Sequence, residues 1–140
     1  MSGQKGVTLV ELLSIVVLTA IITLIVVPAY QHYEREAKLQ EAFATLIKLH
    51  SKEDMYWASK HSYGPSDCAI GMLAANTAHF MYTCTIDKER KGYRITANGQ
   101  EEFLNYNFTI DQTGRMVTTG FPGAKKLPVS CWLEATGTCA

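Results

Sequence analysis

From Leu12 to Tyr30 the chain runs 19 residues without a charged side chain, and a single acid, Glu11, stands directly in front of them. At ~1.5 Å per residue a helix of that length reaches about 28 Å, close to the ~30 Å hydrocarbon core of a bilayer. Val and Ile are frequent in the run. In lipid, however, a helix satisfies every backbone group within one segment, so apolar length outweighs β propensity. The carboxylate is the sharper constraint. An ionised acid in hydrocarbon costs on the order of 2.5–3.5 kcal/mol, so Glu11 asks for a compensating cation. A new amino terminus made by cutting after Gly6 would be the nearest one. Lys5 lies on the leader side, which keeps that end in the cytoplasm and sends the rest of the chain across.

Three plainer readings compete for the same segment. An ordinary secretory signal cut near Ala29 would release a soluble domain, but this run exceeds the usual apolar region of about 7–15 residues, and no A-x-A site precedes Ala29. A simple single-pass anchor accounts for the length alone. A Glu11 that merely snorkels to the interface accounts for the acid, but not for Gly6 and Thr8 around it.

Pro28 removes a backbone donor near the outer end of the run and is expected to kink or weaken the preceding turn. Beyond it the pattern becomes amphipathic. Leu39, Ala42, Phe43, Leu46, Leu49, Glu53 and Tyr56 recur at helical spacing, with Glu34, Arg35, Lys38, Gln40, Glu41 and Lys48 mostly on other faces. A helix from about Val7 to Lys60 is predicted, ended by Tyr63-Gly64-Pro65. A loop then leads to about Thr77. Four strand-like runs follow: His79–Asp87, Tyr93–Ala97, Leu104–Ile110 and Arg115–Thr119. In the third, Leu, Tyr, Phe and Ile alternate onto one face. Short connections make neighbours antiparallel, and the sheet is expected to bury its apolar face on the second half of the helix.

Thirteen basic and thirteen acidic side chains balance to zero, so bulk charge offers no pull on nucleic acid and only a local patch would. Two patches stand out: Lys88, Arg90, Lys91 and Arg94 around one hairpin, and Lys125-Lys126. Tyr82, Tyr93 and Trp132 would supply stacking surfaces. Glu89, Glu101 and Glu102 interrupt the charge, and a Lys-rich hairpin tip is commonly just solvated. Asn107-Phe108-Thr109 matches the N-glycosylation pattern but falls in a predicted strand. His32, His50, His61 and His79 are scattered. His50 and Asp54 share a helix face, which reads first as packing against the sheet. No G-x-S-x-G, H-E-x-x-H or P-loop occurs, so no catalysis, cofactor or metal is expected. Cys68, Cys84, Cys131 and Cys139 all follow the apolar run, which suits two disulfides in an oxidising compartment, although four free thiols remain the alternative. Four cysteines allow three connectivities.

Lys5-Gly6-Val7-Thr8-Leu9-Val10-Glu11 resembles the processing and methylation motif of type IV pilins and pseudopilins, K-G-F-T-L-I/V-E. Val7 stands where that motif has Phe; cleavage there depends mostly on the glycine. The resemblance implies an α+β pilin fold: a long N-terminal helix on an antiparallel sheet of about four strands, with a disulfide-bounded C-terminal region. It implies a leader at 1–6, removed by a prepilin peptidase that also N-methylates Val7. Residues 7–30 would form a membrane and filament-core half, and 31–140 a periplasmic or extracellular head. Removing Lys5 leaves 12 basic against 13 acidic side chains. Glu11 would pair with the Val7 ammonium and set the register of assembly, and Pro28 would loosen the helix in the filament. Cys131–Cys139 and Cys68–Cys84 are the expected bridges, the first because many such pilins close their C-terminal region this way. Each is worth roughly 2–4 kcal/mol to a thin core. The expected partners are other pilin subunits, the peptidase, an inner-membrane assembly platform, and lipid before assembly. The expected function is a structural subunit, a minor more than a major pilin, serving adhesion, twitching or DNA uptake. A DNA-binding receptor pilin and a pseudopilin of type II secretion are the alternatives.

Overall fold

The structure, a computed structural model, describes residues 6–64, 68, 75–89 and 91–140. Its elements are helix α1 (Leu9–Lys60), strands β1 (Phe80–Ile86) and β2 (Tyr93–Gly99), a 3-10 turn (Glu101–Phe103), and strands β3 (Asn107–Asp111) and β4 (Met116–Gly120). The chain divides after Arg35 into two compact units.

In the first unit α1 begins behind Thr8, whose Oγ1 accepts the Glu11 N–H at 3.3 Å. Thr8-x-x-Glu11 has the capping-box spacing, and an acid in the first turn also complements the positive end of the helix. From Val7 to Val27 the large apolar side chains are 48–78% exposed. This stretch meets the length and hydropathy requirements for a membrane span. The hydroxyls within it are satisfied internally. Ser14 Oγ donates to the Glu11 carbonyl at 2.7 Å, Thr19 Oγ1 to those of Ile15 and Val16 at 3.0 and 2.9 Å, and Thr23 Oγ1 to that of Thr19. A hydroxyl bonded to its own helix can enter hydrocarbon without an orphaned donor. The helix continues through Pro28.

In the second unit α1 buries one stripe: Leu39, Ala42, Phe43, Leu46, Leu49 and Glu53. The apolar members are those expected from the 3.6-residue period; Tyr56 is only half-buried. The strands form an antiparallel meander in the order β1-β2-β3-β4. Alternation directs Phe80, Tyr82 and Cys84, then Tyr93, Ile95 and Ala97, then Phe108 and Ile110, into the core. Phe43 is the centre of this packing: its ring stacks on Trp132 at 5.0 Å and meets Phe108 edge-on at 4.9 Å.

The third strand departs from expectation. Alternation puts Leu104 on its buried face, yet β3 begins at Asn107 and Leu104 is 64% exposed. The 3-10 turn puts Phe103 into the core instead, and Asn105 adopts φ 74°, which breaks the alternation. Gly99 makes this turn possible. A Cβ there would lie 1.9 Å from the Phe103 carbonyl oxygen, a separation no side chain tolerates.

After β4 the chain returns along its edge. Thr118 and Val129 exchange backbone hydrogen bonds at 2.9 and 3.0 Å. The buried Thr118 Oγ1 donates to the Cys131 carbonyl at 2.7 Å and accepts the Leu133 N–H at 3.0 Å. Trp132 Nε1 donates to the Thr109 carbonyl at 2.9 Å. Cys131 and Cys139 are disulfide-bonded, and Glu36 Oε2 accepts the Ala135 N–H at 2.7 Å, anchoring the closed loop to α1. Cys68 is joined to Cys84 of β1.

Candidate functional site

The expected processing point lies just ahead of α1. Gly6, Val7 and Thr8 are exposed and outside the helix, and nothing lies within 4 Å of the position a Gly6 Cβ would take. Thr8, read from the chain as part of the processing motif, also caps the helix. The T-x-x-E spacing was the available signal, and it assigns Thr8 to helix capping.

The basic residues expected to contact nucleic acid lie, among the described residues, at two places, as the two patches read from the chain. Arg90 lies outside the described residues. The β1–β2 hairpin carries Lys88 and Lys91 at its tip and Arg94 on β2, all exposed. Asp87 shapes that tip: its Oδ1 accepts the Lys91 N–H at 2.8 Å and its N–H donates to the Gly92 carbonyl at 2.9 Å. Lys125 and Lys126 follow β4, which runs away from this end of the sheet. Phe121, just before them, packs edge-on against Tyr106 at 5.0 Å, at the opposite end. There the lysines border a 730 Å³ cleft whose walls include Phe121, Val129 and Leu133. The meander places the two basic spots at opposite ends of the sheet.

It also brings in a residue the linear reading missed. The β3–β4 turn lies beside the β1–β2 hairpin, with the Tyr93 N–H donating to Gln112 Oε1 at 3.3 Å. Arg115 in that turn therefore joins the hairpin end. Arg94, Thr109, Asp111, Arg115 and Thr119 all border one 240 Å³ cavity on the outer sheet face. Burial pushes the Asp111 carboxyl up, but the Thr113 hydroxyl, the Arg115 and Thr113 N–H groups and the Arg115 charge together hold it below the usual value. It is thus a fixed anion at neutral pH. The only cue in the chain was Asp111-x-Thr113-Gly114, a turn signal that says nothing of a partner strand.

Beneath this end, α1 and β2 share a polar clasp. Tyr93 Oη donates toward Asp54 Oδ1 at 3.1 Å and also meets His50 Nδ1, while His50 Nε2 lies 3.4 Å from Asp54 Oδ2. Burial and the Asp54 charge push the Tyr93 hydroxyl far above its ordinary value, so it stays a donor. Tyr63 packs edge-on against Tyr93 at 4.6 Å and stacks on Trp57 at 4.7 Å. His50 thus holds helix to sheet. Among the described residues no three His, Cys, Asp or Glu side chains are grouped to hold a metal ion.

Residues 28–114 match the family described as type IV minor pilin ComP, DNA uptake sequence receptor. The chain belongs to this minor pilin family. The minor pilin is also similar to fimbrial protein EcpC of Eikenella corrodens, 27% identical over 94 residues, covering 67% of this chain and 61% of that protein. Type II secretion system core protein G of Dickeya chrysanthemi is 29% identical over 70 residues, covering 50% of this chain and 46% of that one. The minor pilin therefore spans less than two thirds of the length of either relative. A type IV pilin from Shewanella oneidensis shares the fold, with a TM-score of 0.50 at 12% identity, over 66% of this chain and 94% of that one.

Proposed function

We propose that the mature chain is built into a type IV pilus as a minor subunit and that the hairpin end of its head contacts DNA during uptake. The observation that carries the DNA reading is the match of residues 28–114 to a DNA-receptor pilin family. The exposed cluster of Lys88, Lys91, Arg94 and Arg115 supports it. Such a cluster neutralises phosphates and releases their counterions, which makes binding fall with salt.

In this reading a prepilin peptidase cuts after Gly6 on the cytoplasmic face and methylates Val7. The precursor waits in the inner membrane with its head in the periplasm, held by the apolar half of α1, until the assembly platform extracts it. Glu11 then pairs with the Val7 ammonium of its own or a neighbouring subunit. Away from water, either charge left alone costs several kcal/mol, about 3–5 when one partner of a buried pair is removed, and that penalty sets the axial register. Pro28, with no N–H to give, marks where the helix loosens as subunits pack.

Two measurements test the reading. Intact mass of the natural protein reports the loss of six residues and a methylated Val7; a full-length chain in working filaments overturns the assembly half. Titration of a mixed-sequence duplex with the detergent-solubilised mature chain tests the other half. Binding whose log–log salt slope reaches about −2 to −4 is expected from three or four phosphate contacts at ~0.9 each. No salt-dependent binding refutes the DNA contact. The likeness to a secretion core protein favours a pseudopilin as the second reading; a deletion that abolishes protein secretion while sparing transformation would decide for it.

A further inference from the structure

Antiparallel register places Thr85, Arg94 and Asp111 side by side across β1, β2 and β3. The Asp111 N–H donates to the Arg115 carbonyl at 3.3 Å, which extends the row to the start of β4. Arg94 and Arg115 thus flank one carboxylate, two strand spacings apart, roughly 10 Å. Two guanidinium arms can close on a single group across that gap. Both border the same 240 Å³ cavity, which Thr109, Thr119 and Pro128 also line. Asp111 does not engage them through its Oδ1. That oxygen accepts the Thr113 N–H at 2.9 Å, the Thr113 hydroxyl at 2.6 Å and the Arg115 N–H at 3.1 Å, which turns the carboxyl into its own turn. Among the described residues neither guanidinium is within 4 Å of a carboxylate oxygen.

We infer that Arg94 and Arg115 form a two-armed clamp for one backbone phosphate of duplex DNA, seated over the outer face of the sheet. This rests on the DNA reading above and names a subsite within it. A planar guanidinium fork matches phosphate oxygens bidentately, whereas Lys88 and Lys91 act as mobile point charges. The clamp therefore fixes where the strand lies, and the lysines add attraction without position. Asp111 limits the affinity of the clamp, because its charge opposes the phosphate it helps to frame.

The test uses the detergent-solubilised mature chain, a short fluorescent duplex of mixed sequence, and the variants Arg94→Gln, Arg115→Gln, their double, and Asp111→Asn. Arg94 and Arg115 are exposed and Asp111 is half-buried, and Asn retains the Oδ1 acceptor, so an unchanged near-UV circular dichroism spectrum verifies the fold. Each arginine variant is expected to weaken binding about tenfold, the loss of one charge-assisted contact. Because both arms hold one phosphate, the double variant loses little more than either single one, and all three shallow the salt slope by about 0.9. Asp111→Asn tightens binding. Additive losses with a slope change near 1.8 in the double variant mean two independent phosphates and overturn the clamp. Undiminished binding by the double variant also overturns it, while leaving the DNA reading standing. Failure of the wild-type chain to bind duplex refutes the DNA reading itself. If inorganic phosphate then shifts both arginine Nε–H resonances, the cavity takes a free anion and the assignment to DNA is overturned.

Discussion

Glu53 offers a quantitative test of how the helix meets the sheet. It is fully buried on α1, at a position that the helical period assigns to the core stripe. Neither of its carboxylate oxygens has a hydrogen-bond partner. Desolvation, with a lesser contribution from the Asp54 charge, raises its pKa above the ordinary 4.5. The other charged and titratable groups that bear on this corner are His50 on α1, Tyr63 after it, Asp87 at the hairpin, and Tyr93 on β2. A raised acid binds its proton more tightly in the folded state. Its share of stability is therefore complete at pH below about 4.5 and is lost as the pH climbs toward and through the folded value. Glu53→Met keeps the volume and removes the charge. An unsatisfied buried polar group costs about 1–3 kcal/mol, and at neutral pH the variant should recover a gain of that order. Each kcal/mol corresponds to roughly 4–8 °C in Tm for a domain near this size. The measurement is thermal unfolding of the mature chain in detergent, followed by near-UV circular dichroism of Trp57 and Trp132, from about pH 4 to 8. The Tm difference between variant and wild type should be small at the acid end and widen with pH. A variant that is less stable at neutral pH, or a difference that stays flat across the range, would refute the assignment of Glu53 as an uncompensated buried acid.

Phe43→Ala removes the ring that stacks on Trp132 and meets Phe108; a loss of about 3–5 kcal/mol is expected by denaturant titration. Gly99→Ala forces a methyl against the Phe103 carbonyl, so the β2–β3 turn must rebuild; amide exchange in β2 and β3 should accelerate, and unchanged protection would contradict the packing. Glu11→Val should leave membrane insertion intact while sharply lowering recovery of the subunit in sheared filaments; normal incorporation would remove the register role of the acid.

The long apolar helix and its core stripe were legible because each is a property of local order. Apolar length alone selects a helix in lipid, and a 3.6-residue period alone places Leu39, Phe43 and Leu46 on one face. The strands were legible in number and order for the same reason, since period-2 alternation and turn residues are local signals. Leu104 was misplaced because alternation says nothing about a 3-10 turn that reverses it, and that turn depends on how closely Gly99 approaches Phe103. Lys88, Lys91 and Arg94 were grouped on one hairpin from the chain alone, but Arg115 was not joined to them. Sequence neighbours such as Lys88 and Lys91 stay together in any fold. Whether Lys125 joins them, or Arg115 does, depends on which end of the meander each connection reaches. That is decided by strand pairing over distances the chain order does not encode, and it is why the arginine pair astride Asp111 became visible only in three dimensions.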